Sequence, residues 1–176
     1  MNEINIVIKQ VALNDINQLQ HIGRQTFFET FSAENSEENM TKYLSEGFSI
    51  EKLNAEITDV NSQFYFAIHE DTIIGYLKLN WGQSQTEWQK GRAIEIERIY
   101  VLNDFHGKNV GQSLLEKAIQ IAMQMNVDYV WLGVWEENSR AIHFYKKNGF
   151  VEYDKHIFKL GNDEQIDIMM KLILHE

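Results

Sequence analysis

An apolar run from Ile94 to Val101 leads into Phe105-His106-Gly107-Lys108-Asn109-Val110-Gly111. That stretch passes directly into the helical pattern Gln112-Ser113-Leu114-Leu115-Glu116-Lys117-Ala118-Ile119. A strand, a glycine-punctuated turn and a helix in immediate succession constrain the fold more than any other feature of the chain. Such a turn leaves backbone N–H groups unpaired at a helix N-terminus, where the helix dipole favours negative charge, so it suits a phosphate or pyrophosphate. Gly107 and Gly111 let the backbone approach a ligand with no side chain in the way. Glycine turns before helices also serve purely structural ends, and the stretch taken alone fits both readings.

A second signal follows. Val130-Trp131-Leu132-Gly133-Val134 reads as a buried strand, and Asn138-Ser139-Arg140-Ala141-Ile142-His143-Phe144-Tyr145-Lys146-Lys147-Asn148-Gly149-Phe150 as a helix with its own start and stop. Asn138 is a good N-cap and Gly149 the expected terminator. Together, the two stretches resemble the acyl-coenzyme A motifs of the GNAT superfamily of N-acetyltransferases: a Q/R-x-x-G-x-G/A pyrophosphate loop and an N-x-x-A-x-x-F-Y-x-x-x-G-F helix. The resemblance extends over most of the chain and is nearest to the PaiA-type spermidine/spermine N-acetyltransferases. Phe27-Phe28-Glu29-Thr30-Phe31, Ser36-Glu37-Glu38-Asn39-Met40, Glu95-Ile96-Glu97-Arg98-Ile99-Tyr100 and Trp131-Leu132-Gly133-Val134-Trp135-Glu136 carry that narrower likeness.

The resemblance implies a GNAT fold of the α/β (α+β) class, with a mixed, mostly antiparallel central sheet flanked by helices, and acetyl-coenzyme A as cosubstrate. It places the pantetheine arm along Ile99, Tyr100 and Val101, and the pyrophosphate over His106, Gly107, Lys108, Asn109, Val110, Gly111 and Gln112. Two positions depart from the family pattern. His106 stands for the usual Gln or Arg, which weakens the point charge near neutral pH, and Asn109 for a common glycine, although Asn tolerates positive φ. Lys108 fits a phosphate contact and a solvated loop lysine equally. Asn138 is placed to touch the pantetheine arm, but capping alone would also explain it.

Tyr145 is the implied general acid, near the thioester sulfur. With an ordinary pKa of about 10 it carries its proton at neutral pH. Its alternative is an aromatic packed on the core with Ile142 and Phe144. An ammonium must lose a proton before it attacks, and Glu95 and Glu97 are the candidates to hold the cation or take that proton. Simple alternation puts both on one face of the strand with Ile99 and Val101. Glu97 is preferred as lying nearer the thioester, while ordinary salt bridges are the competing account of each. Glu29 and Glu38 are candidate contacts for the distal ammonium groups of a polyamine.

Composition bounds the rest. The 176 residues fit one domain, 1–176, with 44% hydrophobic and 24% charged side chains. With no cysteine there is no disulfide framework, thiolate metal site or cysteine nucleophile. The six histidines are scattered without the close spacing of zinc ligands, so no metal is expected. Net charge is −10, and residues 1–88 hold 13 acidic against 5 basic side chains. This balance disfavours direct nucleic-acid contact and favours cations, although a solvated acidic surface kept for solubility explains it as well. Met1-Asn2-Glu3-Ile4-Asn5 carries no leader signal and no run approaches a membrane span, so no membrane role and a cytoplasmic location are expected. A homodimer is one assembly the chain allows.

Apolar periods predict a first strand over Ile4 to Lys9 and a helix capped at Asn14 or Asp15. A second helix follows the capping-box pattern at Asn35-Ser36-Glu37-Glu38, and a third starts at Ser49. Gln63 to His69 and Thr72 to Asn80 read as a hairpin turning at Glu70-Asp71, and Trp81 to Arg92 as a flexible surface loop. Val151–Leu160 and Ile166–Leu174 form a second hairpin about Gly161-Asn162-Asp163-Glu164. The expected partner is a small cationic amine, acetylated by direct attack on the thioester. The alternatives are acetylation of a protein or peptide amine, and a non-catalytic acyl-coenzyme A-binding regulatory protein.

Overall fold

Changes of apolar period divide the chain in nearly the expected order. The computed structural model describes residues 3–175. Met1 and Asn2, which belong to the start read above as leader-free, and Glu176, the end of the expected 1–176 domain, lie outside the described residues, as does the side chain of Phe158. The first half runs β1 (Val7–Gln10), α1 (Ile16–Phe31), α2 (Glu37–Gly47), α3 (Ile50–Thr58), β2 (Ser62–His69) and β3 (Thr72–Trp81). The second runs β4 (Ala93–Val101), α4 (Val110–Gln124), β5 (Tyr129–Trp135), α5 (Ser139–Lys147), β6 (Val151–Leu160) and β7 (Asp163–Ile173). Side-chain oxygens of Ser36, Ser49 and Asn138 accept from backbone N–H groups three residues on, capping α2, α3 and α5 as their residue types suggest. Asp15 occupies the cap position of α1, but its carboxylate accepts from the Ala12 N–H at 2.9 Å instead of from the first helical turn.

The seven strands among the described residues lie in the order β1-β2-β3-β4-β5-β7-β6. Every neighbouring pair is antiparallel except β4 with β5. Alternation along the strands feeds two layers. Leu77, Leu79, Ile94 and Ile96 share a core with Leu114, Leu115 and Ala118 of α4. On the other side Phe64, Phe66 and Tyr76 pack with Leu19, Ile22 and Phe27 of α1 and with Leu53 of α3. Each such fully buried aliphatic or aromatic side chain contributes about 1.5–3 kcal/mol of hydrophobic stabilisation.

Two features of the sheet make room for a site. The parallel β4–β5 pairing is short, with register Ala93↔Tyr129, Ile94↔Val130 and Glu95↔Trp131. Past Glu95 and Trp131 a cleft opens between the strands. The second feature is a bulge. Lys78 opposes Arg98 and Leu79 opposes Ile96, so Glu97 is an extra residue in β4. One extra residue inverts the alternation beyond it. Ile94 and Ile96 face α4 before the bulge, and Ile99 and Val101 face it after, whereas Tyr100 packs with the α1–α3 layer. The expectation that Glu95 and Glu97 share a face with Ile99 and Val101 is therefore corrected, because simple alternation does not survive the bulge.

The 82–92 segment corrects a second expectation. Read from its Gly, Gln and Ser content as a flexible loop, it is tied to the sheet along its length. Ser84 Oγ donates to Asp59 at 2.7 Å, Trp131 Nε1 to Gln85 at 2.8 Å, the Thr86 N–H to Glu95 at 2.8 Å, and Tyr129 Oη to Gln89 at 2.9 Å. No helix among the described residues is long and apolar enough to cross a membrane.

Candidate active site

The cleft between the diverging strands has a volume of about 540 Å³ and is lined by both strands, the turn before α4, α5 and the first helices. On the α4 side the turn behaves as its residues dictate. Gly107 (φ +76°) and Asn109 (φ +63°) both adopt the left-handed conformation that glycine and asparagine tolerate. A Cβ added to Gly107 would meet nothing within 4 Å. Asn109 starts α4, and the Ser113 N–H donates to its carbonyl at 3.0 Å. The N–H groups of Val110, Gly111 and Gln112 precede that first helical bond, at the positive end of the helix dipole. His106, Gly107, Asn109, Val110, Gly111 and Gln112 all line the cleft, as do Ile99, Tyr100, Val101, Asn138 and Tyr145. The Lys108 ammonium rests 5.0 Å from the centroid of the Phe105 ring, and Lys108 is not among the lining residues.

Sequence reasoning missed Arg140. Its guanidinium lies 2.6 Å from His106 Nδ1, and the other ring nitrogen, Nε2, lies 2.8 Å from the Val101 carbonyl. An arginine can only donate, so Nδ1 accepts from it and Nε2–H donates to Val101. His106 thus bridges the end of β4 to a permanent cation at the start of α5. The signal was available: Arg140 lies inside the N-x-x-A helix motif, beside Asn138. Tyr145 is buried between Phe144 and Phe150, with ring centroids 5.2 and 5.6 Å away. Burial pushes its phenol well up from the ordinary value, so the proton is retained across the working pH range. Asn138 Oδ1 accepts from the Ala141 N–H at 3.1 Å, which is the capping geometry.

The opposite face of the cleft carries charge and aromatic rings. Glu95 is 3% exposed and accepts from Asn80 Nδ2 at 3.0 Å as well as from Thr86. Burial raises its pKa against these hydrogen bonds. Glu97, expected above as the proton acceptor with salt bridges as the competing account, is engaged in ion pairs. It pairs with Lys78 and Arg98, both of which also bond Glu56 at 3.0 Å, and it accepts from Asn80 Nδ2 at 2.9 Å. Burial opposes its ionisation, but the Arg98 and Lys78 cations outweigh that and hold its pKa down at about 2. A carboxylate so stabilised is a poor base for an ammonium. Around this network Phe27, Phe31, Tyr43, Phe48 and Trp135 form an aromatic wall, with Phe27 stacked on Tyr43 at 4.2 Å and Phe31 5.5 Å from Trp135.

Glu29 and Glu38 do not join this group. Glu29 accepts from the Asn103 N–H at 2.8 Å, fixing the 103–105 turn. Glu38 is exposed on α2, and neither residue lines the cleft. No group of three or more His, Asp or Glu among the described residues is arranged to hold a metal ion.

The strand, glycine turn and helix stand in the order the two motifs imply, and comparison with known proteins decides the family. The profile of the acetyltransferase (GNAT) family matches residues 17–150. The chain belongs to the GNAT family. As a GNAT N-acetyltransferase it has relatives of similar length. One is a Lactobacillus delbrueckii subsp. lactis protein named as an uncharacterized N-acetyltransferase, 37% identical over 169 residues, covering 96% of this chain and 98% of the relative. The spermidine N(1)-acetyltransferase of Thermoplasma acidophilum is 28% identical over 151 residues, 84% of this chain and 89% of the relative. The crystal structure of the Thermoplasma acidophilum PaiA N-acetyltransferase in complex with coenzyme A superposes with a TM-score of 0.78. It is 26% identical and covers 97% of this chain and 99% of that one. Enzymes of this family use acetyl-coenzyme A.

Proposed function

We propose that this GNAT enzyme transfers the acetyl group of acetyl-coenzyme A to a primary amine of a polyamine such as spermidine or spermine. The observation that carries this reading is the two-sided fork. An anion-receiving turn with Arg140 lies on one side of the parted strands, and a carboxylate-bearing aromatic recess on the other. The edge of β4 at Ile99, Tyr100 and Val101 receives the pantetheine arm. The N–H groups from His106 to Gln112 meet the pyrophosphate, and Arg140 adds a full charge to their partial ones. Tyr145, kept protonated by burial, hands its proton to the departing sulfur. With no cysteine in the chain, acyl transfer is direct within a ternary complex.

The acceptor enters over Phe31 and Trp135. Aromatic faces attract ammonium groups by about 0.5–2 kcal/mol each, and the Glu95 carboxylate adds negative potential. Glu29 and Glu38 act on the acceptor only through the long-range field of the acidic first half. The name of the Thermoplasma relative supports a polyamine acceptor.

An amine panel with acetyl-coenzyme A, followed by free-thiol release, tests the reading. Spermidine or spermine is expected to exceed a monoamine of similar length in kcat/KM, because the distal ammonium binds away from the reacting nitrogen. The advantage should shrink as salt shortens the range of charge attraction to about 8–10 Å. A peptide or monoamine acceptor that beats every polyamine at low salt rejects the polyamine assignment.

A further inference from the structure

Three groups on the acceptor side of the fork are unused by the chemistry above. His156 on β6 and Asp167 on β7 are register partners, and both line the cleft. Glu87 reaches them from the pinned 82–92 segment. His156 Nδ1 lies 2.9 Å from Glu87 Oε1, and Nε2 lies 3.6 Å from Asp167 Oδ2. The Met169 sulfur, 3.0 Å from Nδ1, closes the same side of the ring. The His156 side chain is 27% exposed and that of Asp167 16%, so the pair is neither freely solvated nor sealed.

Gly133 explains how they reach the cleft. A Cβ at this position of β5 would stand 3.3 Å from Asp167 Oδ2 and 3.4 Å from His156 Cε1. The missing side chain leaves that space to the imidazole edge and the carboxylate. Gly133 lies two residues past Trp131, where pairing with β4 ends, and Glu97 lies two residues past Glu95 on the other strand. The cluster therefore overlooks the point at which the strands part. Of the two carboxylates on β4, Glu97 is neutralised by Lys78 and Arg98, and Glu95 is already engaged by Thr86 and Asn80.

We propose that His156 is the base that deprotonates the acceptor ammonium, with Glu87 and Asp167 as positioning residues that orient the imidazole and stabilise its charged form; this rests on the acyl-transfer reading above. In the neutral ring Nδ1–H donates to Glu87, leaving Nε2, beside Asp167, with a lone pair for a proton. The ammonium gives one proton to Nε2, and the imidazolium is then held against Asp167. The freed nitrogen lone pair attacks the thioester carbonyl carbon, forming the C–N bond as the carbonyl oxygen takes up negative charge. Collapse of that adduct breaks the C–S bond, and the sulfur takes the Tyr145 proton. The second proton shed by the acylated nitrogen restores Tyr145, and the first leaves Nε2 to solvent through the cleft, restoring the neutral ring with Nδ1–H on Glu87. The titratable groups that face the imidazole are Glu87 from the 82–92 segment and Asp167 from β7. Behind them, Tyr43 of α2 interacts electrostatically with Asp167, and Tyr153 of β6 with Glu87.

The test is kcat/KM for the best amine of the panel against pH, in the wild type and in His156→Gln, Asp167→Asn and Glu97→Gln, with coenzyme A affinity and thermal melting measured in parallel. His156→Gln should bind coenzyme A normally and lose about 100-fold in kcat/KM near pH 7. It should lose the lower inflection of the pH profile and recover as free amine accumulates at high pH. Asp167→Asn, which keeps the volume, should move that inflection lower, since an anion beside the imidazolium is gone. Glu97→Gln should leave the inflection where it is. A folded His156→Gln protein with wild-type kcat/KM and inflection overturns the proposal and leaves the acetyltransferase reading intact. Should His156→Gln fail to fold, an unmoved inflection in Asp167→Asn overturns it instead. A wild-type protein that binds coenzyme A and acetylates no amine overturns both.

Discussion

Glu97→Gln separates a structural anion from a catalytic one. Its carboxylate lies between Lys78 and Arg98 with its side chain 21% exposed, and its pKa is held at about 2 against an ordinary 4.5. Each pKa unit corresponds to about 1.4 kcal/mol of differential interaction, so the anion contributes about 3 kcal/mol to folding. Breaking a buried ion pair by removing one partner costs about 3–5 kcal/mol, which agrees. For a protein of this length that is a fall of roughly 6–12 °C in Tm at neutral pH. The sign with pH is fixed. A depressed carboxylate pKa stabilises the fold above the unfolded value and ceases to do so as pH falls through the folded one. The gap between wild type and Glu97→Gln should therefore be full at pH 7, begin to close near pH 4.5 and be gone near pH 2. Urea unfolding at a series of pH values reads it. Equal stability at pH 7, with kcat reduced about 100-fold and a displaced pH profile, would refute this reasoning and return Glu97 to the role of base.

Three further outcomes are expected. Gly111→Asp should fold, because a Cβ there meets Phe144 and Val101 only at 3.8 and 4.0 Å and an acid suits a helix N-terminus; calorimetry should nevertheless show weakened coenzyme A binding, and undiminished affinity would take the turn out of the site. Tyr145→Phe keeps the ring between Phe144 and Phe150 and should lower kcat by about 10²–10⁴-fold with cofactor affinity little changed; unchanged turnover with chemistry rate-limiting makes Tyr145 a packing residue. Arg140→Gln should weaken coenzyme A binding about tenfold, the scale of one charge-assisted hydrogen bond, and reduce its salt dependence; a salt dependence equal to wild type removes Arg140 from the phosphate site.

The elements and the turn before α4 were legible because their signals are local. Caps at Ser36, Ser49 and Asn138, the glycine turn and the β2–β3 hairpin each lie within a few residues of the structure they create. Asn109 could be read as a left-handed residue from its type alone, and its φ of +63° agrees. The opposite face of the cleft was not legible, because it is assembled by contacts of long sequence separation. Lys78, Glu56 and Arg98 meet Glu97 from three elements, and Glu87 meets His156 across most of the second half of the chain. Gly, Gln and Ser content made 82–92 look mobile, and only the partners Asp59, Glu95, Tyr129 and Trp131 show why it is fixed.

The bulge at Glu97 has the largest consequence among the features no periodicity reveals. Without it, alternation would carry Ile94, Ile96, Arg98 and Tyr100 along one face of β4, driving a guanidinium into the apolar core beneath α4. The extra residue restores apolar side chains, Ile99 and Val101, to that face and turns Arg98 and Tyr100 toward the first helices. It falls just past the last β4–β5 pair, so the change of face and the parting of the strands occur together. One inserted position thus divides the cleft into an apolar wall and a charged wall, which the proposed function assigns to the pantetheine arm and to the amine. The chemistry of transfer requires that division: the thioester must be kept dry while the incoming nitrogen is met by groups that can hold and remove its charge.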